Sequence, residues 1–275
     1  MNEMKLESMG LYRNIDRVDA DLASLGVGPD DPVRVDQLTS FDQFHYEGTA
    51  AVDDAAVALQ LGPTSRVLDI GSGLGGPARY LADRTGCAVT ALELQTELHN
   101  AGRRLTSRAG LTDQVEHLEG DILNGPPAGP GFDGIVSMLC FLHIPDRTTL
   151  FTSCAAALYP GGRIFIDDYV ELSALDPASV TALAEIVHCP YLPDASAYAA
   201  HLTDAGFVDV DVVDKSSDWS AFVNARYDAF RDGRESLVRR YGEPTVAGLD
   251  TFYGTVAELF DGAGLGGARI TARRP

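Results

Sequence analysis

Lysine is nearly missing from this chain. Lys5 and Lys215 are the only two, while acidic residues number 40, and the formal net charge is -19. A field of that sign repels phosphate backbones, which argues against nucleic acid as a partner and leaves small neutral or cationic ligands. Cysteine is scarce too. Cys87, Cys140, Cys154 and Cys189 stand far apart, without the CxxC spacing of zinc or redox sites, and read as reduced thiols. Asp167 and Asp168 are adjacent acids, but no histidine or cysteine spacing supports a metal there, so no metal is expected. No apolar run approaches the roughly 18 residues of a membrane span. The opening stretch, MNEMKLESMGLYRNIDRV, lacks the apolar segment of a secretion signal. The expectation is a cytoplasmic protein with no membrane partner.

What is present is enough apolar material for one large domain carrying an insertion: 275 residues, 45% of them hydrophobic. Residues 4–25 read as a helix, because Leu11, Ile15, Val18, Leu22 and Leu25 recur at spacings of four and three before Gly26. That single stripe covers either this chain's own core or a second copy, so a homo-oligomer formed through this helix is one expectation. GVGPDDPVRVDQLT then reads as a linker, which divides the chain into an extension over 1–40 and a main domain over 41–275.

From Arg66 onward, short β-rich runs alternate with helical ones, the pattern of a parallel sheet covered on both faces. Strands are expected near 66–70, 88–94, 115–121, 132–138 and 163–169, with FVDVDVVD and ARITARR as the sixth and seventh. The fold class is therefore α/β: a Rossmann-like, open, seven-stranded, mostly parallel sheet with helices on both faces. Helical cover is expected at about 172–193 and again at 217–262. The second region reads as two helices, one carrying Trp219, Phe222, Val223 and Phe230, the other Leu249, Phe252, Val256 and Leu259.

The stretch VLDIGSGLGGPARYLA ends its apolar run in glycines. Gly71, Gly73 and Gly76 satisfy G-x-G-x-x-G, and Glu93 follows at about the distance a dinucleotide fold requires. A P-loop is excluded, since no Lys-Ser or Lys-Thr follows the glycines. Asp69, two places before Gly71, discriminates further: a carboxylate there repels a pyrophosphate and suits a ligand bearing positive charge, such as S-adenosylmethionine. Glu93 ends the second strand, where its two oxygens match a ribose diol. Asp121 ends the third, placed to accept from an adenine amine. Each of these acids has a plainer reading as a helix N-cap.

The motifs VLDIGSGLGGPARYLA, ALELQ, EGDIL, FDGIVSMLCFLHIPDR and ALYPGGRIFIDDYV, spread from about Phe41 to Phe207, resemble class I S-adenosylmethionine-dependent methyltransferases. The likeness is greatest to the small-molecule branch of sarcosine and dimethylglycine N-methyltransferases and phosphoethanolamine methyltransferases. The resemblance implies that Asp69 and the loop Gly71, Ser72 and Gly73 meet the methionine part of the cofactor. It implies Glu93 on the ribose, Leu94 against the adenine, Asp121 and Ile122 at the adenine edge, and the Met138 backbone near the methionine amino group. FDQFHYEG resembles the segment that closes over the cofactor, with Gln43 and Tyr46 near the methyl group. Beyond Asp211 the chain departs from the family, whose short connection is here replaced by helices.

For the acceptor, the loop LCFLHIPD offers Phe141 and His143 at the sheet edge. His143 reads as a catalytic base or substrate partner, or else as a packed histidine bonded to a carbonyl. Alternation turns one of Asp167 and Asp168 toward the pocket, and Asp168 is the candidate. Asp176 and Pro177 open a helix whose far end brings His188 and Tyr191 toward the acceptor; Trp219 and Phe222 read as core. The function expected is methyl transfer to a small organic molecule, of the kind found in secondary metabolism, with nitrogen the favoured acceptor atom. Rival readings are C- or O-methylation of a terpenoid or aromatic product, an NAD(P)-dependent oxidoreductase, and a binding protein without turnover.

Overall fold

The computed structural model describes residue 15 and residues 17–129 and 131–275. The expected helix over 4–25 lies partly outside the described residues, Leu11 included. Helix α1 (Arg17–Ser24) buries Val18 and Leu22, and Gly26 stops it in a left-handed conformation at φ 78°. Leu25, expected on the same stripe, falls past the last turn and is 55% exposed. Asp21 meets Arg240 at 2.9 Å and the Tyr241 hydroxyl, so the buried stripe is covered by this chain's own later residues.

Two short helices, α2 (Val35–Leu38) and α3 (Thr49–Ala58), precede the sheet. The alternation then runs β1 (Arg66–Ile70), α4 (Gly76–Thr85), β2 (Ala88–Glu93), α5 (Thr96–Arg108), β3 (Val115–Glu119), β4 (Phe132–Met138), α6 (Arg147–Ala157) and β5 (Leu158–Glu171). After α7 (Pro177–Glu185) and α8 (Ala195–Asp204) come β6 (Val208–Asp214), α9 (Ser216–Asp232), α10 (Arg234–Tyr241), α11 (Glu243–Asp261) and β7 (Leu265–Arg273). The seven strands order as β3-β2-β1-β4-β5-β7-β6, parallel from β3 to β5, with β7 antiparallel to both neighbours. The expected sheet is therefore the observed one, and its order reverses between β1 and β4, where open α/β sheets hold ligands.

The local reasons are plain. Central strands have both faces covered and read as continuous apolar runs, while β6, at the edge, carries Asp209, Asp211 and Asp214, which discourage pairing with another chain. Alternation along β4 and β5 sends Ile135, Ile164 and Ile166 into the core under α6 and α8, and Val136 and Phe165 into the opposite core under α3 and α4. Asp146, Asp176 and Asp194 cap α6, α7 and α8 by accepting backbone N–H groups. Strand β5 starts earlier than expected: Leu158 already pairs with Phe132, and the register then shifts so that Arg163 faces Gly134.

The cover over 217–262 is three helices rather than the expected two, divided at Gly233 and Gly242. The middle one, RESLVRRY, fully buries no residue, and only Leu237, Val238 and Tyr241 pack against the core, too short an apolar face to mark it. Helix α7 leaves Val180 52% exposed and buries Leu183. No helix among the described residues is long and apolar enough to cross a membrane.

Trp219 of α9 is fully buried against β7, where a Cβ added at Gly267 would fall inside its indole ring. The bare backbone of Gly267 is thus what lets the cover seat on the sheet. We expect Gly267→Ala to cost about 1–3 kcal/mol, the usual penalty of overpacking. It should appear as a lower urea midpoint with an unchanged m-value; an unaltered midpoint would contradict this packing.

Candidate functional site

At the end of β1 the chain turns back sharply. Gly71 N–H and Ser72 N–H both donate to the Leu92 carbonyl, at 2.9 and 3.1 Å. Gly71, Gly73 and Gly75 have φ of 74°, 54° and 74°, conformations that glycine adopts without penalty. A Cβ on Gly71 would collide with the Cys140 sulfur, so this glycine also lets the loop lie against the end of β4.

Beside that loop, at the carboxyl ends of β1, β2 and β4, is a cavity of about 200 Å³. The structure brings together on its wall nine of the residues singled out from sequence: Gly71, Ser72, Gly73, Glu93, Leu94, Asp121, Ile122, Met138 and His143. Among the described residues the wall carries Asp42, Glu93 and Asp121 and no lysine or arginine. Glu93 accepts the Gly73 N–H on one oxygen and the Gln95 N–H on the other, both at 2.8 Å, which leaves each oxygen a further lone pair. Burial raises its pKa against those bonds. Asp121 is indeed an N-cap, accepting from Leu123 N–H at 2.9 Å at the head of a 3-10 turn, and it faces the cavity as well.

Asp69 stands behind the loop rather than on the wall. It is 2% exposed, and its Oδ2 has no hydrogen-bond partner among the described residues. Burial and the nearby Glu93 push its pKa up to about 7, only partly offset by Arg79 and the Ala78 N–H.

The remaining candidates are not on this wall. Tyr46 is buried among Trp219, Phe222 and Phe260, its hydroxyl bonded to that of Tyr169. Gln43 donates to Asp42 at 2.8 Å, and it is Asp42, Phe44 and His45 of this segment that reach the cavity. Residues 41–48 form turns with no regular period, so their facing cannot be read by alternation. Asp168, expected in the acceptor pocket, points the other way and is fully buried. It accepts from Tyr198 hydroxyl at 2.8 Å and Leu142 N–H at 3.1 Å and pairs with Arg147 at 3.4 Å. Its neighbour Asp167 holds Arg269 through both oxygens, at 2.9 and 2.8 Å. Phe141 packs edge-on against Phe151 in the core. Tyr191 bonds His201 at 2.9 Å. His188 is buried with φ 58°, and its contribution is its carbonyl, which accepts from His143 Nδ1 at 2.8 Å. That bond fixes the His143 tautomer and leaves Nε2 as the acceptor, while burial lowers its pKa to about 4.

Sequence reasoning missed Asp42, His45, Leu139 and Cys140. Asp42 has a buried partner, Arg79, at 2.9 Å. Leu139 is held at φ 54° with its N–H on the Asp167 carbonyl at 2.8 Å, a strained turn without glycine to announce it.

The sheet order, the glycine loop after β1 and the acid ending β2 together define the fold of class I methyltransferases. Residues 67–162 match the family described as methyltransferase domain, which bears out the resemblance drawn from the sequence. A sarcosine/dimethylglycine N-methyltransferase of Halorhodospira halochloris is 29% identical over 160 residues, 58% of this chain and 57% of that one. The chain thus spans little more than half of that relative. The methyltransferase GfsG of Streptomyces halstedii is 28% identical over 240 residues, 86% of this chain and 84% of its own length. Among solved structures, a protein of Galdieria sulphuraria described as a sarcosine dimethylglycine methyltransferase shares the fold. Its TM-score is 0.74 at 18% identity, covering 94% of this chain and 98% of that one.

Asp69 provides a test of the site's electrostatics. In the ligand-free folded protein it keeps its proton up to about pH 7, whereas in the unfolded chain it loses it near pH ~4. Between those values the folded state binds more protons, so this group's contribution to stability falls as pH rises. Asp69→Asn abolishes the titration. The variant should gain roughly 2–3 kcal/mol on the wild type between about pH 5 and about pH 8, at ~1.4 kcal/mol per unit. Urea midpoints measured across that range check it; parallel pH profiles would refute the assignment.

Proposed function

We propose that the cavity seats S-adenosylmethionine and that the protein transfers a methyl group to a small organic acceptor. The observation that carries this reading is the charge of the site. Glu93 and Asp121 stand on the wall, Asp69 lies behind the loop with an oxygen that has no partner among the described residues, and no lysine or arginine among the described residues lines the wall to meet a pyrophosphate. The buried Ser72 hydroxyl, also without a partner, is a second group suited to a polar ligand. A dinucleotide would bring two phosphate charges to this wall, where they would be repelled; a ligand with an ammonium and no phosphate would not.

In this reading Asp69 and the loop Gly71–Gly73 hold the methionine end. Glu93 takes the ribose diol with its free lone pairs, Leu94 and Ile122 enclose the adenine, and Asp121 accepts from its amine. When bound, the cofactor supplies a methyl group on a sulfonium, already activated for in-line displacement. The chain's own work is to align the acceptor and exclude water. His143 stands on the wall with Nδ1 on the His188 carbonyl. With its pKa near 4 it is neutral at ordinary pH, and its part is to shape the acceptor's side of the cavity rather than to strip a proton from an ammonium. Nitrogen as the methylated atom is supported by the relative named for sarcosine and dimethylglycine, and the amine must then arrive uncharged.

Calorimetric titration tests the proposal. S-adenosylhomocysteine should bind, NADPH should not, and Glu93→Gln should weaken the nucleoside by about tenfold or more, ~1.4 kcal/mol. Affinity for S-adenosylmethionine should rise with pH through about 7 as Asp69 ionises, and Asp69→Asn should flatten that rise. Tight binding of NADPH with none of either adenosyl compound would overturn the reading.

A further inference from the structure

A carboxylate satisfies only half of a sugar hydroxyl. Where Glu93 accepts the protons of the ribose diol, the oxygens that give them up still carry lone pairs in need of a donor. Two residues further along the same wall is Gln95. It is 9% exposed; Glu93 takes its backbone N–H at 2.8 Å, and its carbonyl accepts from the His99 N–H at 2.9 Å. Its side-chain amide has no hydrogen-bond partner among the described residues. An amide buried to that degree without a bond is costly, and a ligand that meets it removes the cost.

Gln95 is also the N-cap of α5, with φ -88° and ψ 117°, the extended conformation from which serine, threonine or aspartate would cap the helix. Its side chain makes no cap bond, whereas Asp146, Asp176 and Asp194 each cap their helices. Thr96, next in line, donates its hydroxyl to Glu119 at 2.6 Å instead. The first-turn N–H groups of this 13-residue helix are therefore open at the end where Gln95 and Leu98 line the cavity. Other uncharged polar groups of the wall are engaged or stand elsewhere. Ser72 lies in the glycine loop, Cys140 backs Gly71, His45 meets the Tyr46 carbonyl and Gln43 through its two nitrogens, and His143 meets the His188 carbonyl.

We propose that Gln95 donates from its amide to the ribose 2′-hydroxyl oxygen while Glu93 accepts that hydroxyl's proton. The inference rests on the reading of the cavity as the cofactor's seat and adds to it the residue that selects ribose over deoxyribose. The 2′-hydroxyl is the one beside the base, and Leu94, which stands between Glu93 and Gln95, is against the adenine in that reading. The two side chains divide the work by their chemistry: the carboxylate takes a proton and the amide supplies one, with no charge added to the wall. Glutamate at 95 would set a second carboxylate beside one whose pKa burial already raises. Serine would cap the helix and lack the reach.

Calorimetric titration of the whole chain with S-adenosylhomocysteine and its 2′-deoxy and 3′-deoxy analogues tests this. Gln95→Leu should weaken S-adenosylhomocysteine about fivefold and leave the 2′-deoxy compound within about twofold of its affinity for the unaltered protein. The 3′-deoxy compound should weaken by the same factor of about five, since it keeps the hydroxyl that Gln95 meets. Gln95→Ser separates this role from a structural one: it should raise the urea midpoint by capping α5 and still weaken S-adenosylhomocysteine. Equal weakening of all three compounds, a loss confined to those bearing the 3′-hydroxyl, or unaltered affinity in the serine variant would each overturn the proposal. The serine variant decides even where leucine at 95 does not fold. Failure of the unaltered protein to bind S-adenosylhomocysteine would instead sink the reading of the cavity itself.

Discussion

Two carboxylates in one small apolar volume set the character of this protein. Asp69 and Glu93 end adjacent parallel strands, paired in the register Asp69↔Ala91 and Ile70↔Leu92, and both are nearly out of water. Each charge raises the cost of the other, and burial raises both pKa values. Backbone N–H groups of Gly73, Gln95 and Ala78 offset part of that cost; Gln95 does so locally after β2, and those of Gly73 and Ala78 reach the acids because the chain reverses through glycines after β1. What they leave uncompensated is an electrostatic deficit of the sign that a cationic ligand would offset. The glycine loop, the strand register and the ligand's charge are one constraint seen at three levels.

A second set of ion pairs fixes the walls around that deficit. Asp42, at the start of the 41–48 segment, is held by Arg79, which also donates to Gly102 carbonyl and the Thr106 hydroxyl at 3.2 and 3.1 Å. Glu47, near its end, is held by Lys215 at 2.8 Å and Arg269 at 3.2 Å, and Arg269 also meets Asp54 and Asp167. The segment is thereby clamped at one end to α4 and α5, and at the other to β5, β7 and the entry to α9. Such buried pairs contribute little net stability over apolar packing, yet breaking one costs several kcal/mol, ~3–5, by stranding a charge. Their effect is to specify one placement of the segment, and with it of His45 and Tyr46.

The part of the site on the sheet was legible in the sequence because strand ends are marked by period and punctuation. Gly71, Glu93 and Asp121 each follow an apolar run, and a parallel sheet gathers such ends at one edge. Gln43 and Tyr46 were expected at the cavity, and the structure puts Asp42, Phe44 and His45 there, because turns have no period from which facing follows. Alternation at Asp167 and Asp168 was sound, since the two do point to opposite faces. Neither faces the cavity, because Arg269 and Arg147 claim them, and long-range partners leave no trace in local spacing. Helix α10 escaped for another reason: its apolar face is only Leu237, Val238 and Tyr241, half-buried against the core, too short a stripe to mark a separate helix.

The placement of charge around the cavity also bears on rate. Carboxylates pressed against a sulfonium would slow methyl transfer, since they would stabilise a charge that the reaction removes. Asp69 and Glu93 stand at the exits of β1 and β2, behind the glycine loop and beside it. The wall at the exit of β4 is Met138, Leu139 and Cys140, with burial holding the Cys140 thiol protonated. The charged and the uncharged parts of the wall are thus separated by the width of the loop. The strained Leu139 turn, tied to the Asp167 carbonyl, is what presents this uncharged wall in place of the acid pair that follows on β5. His45 and His143 on the same wall are both neutral at ordinary pH through burial, so neither adds a fixed positive charge there.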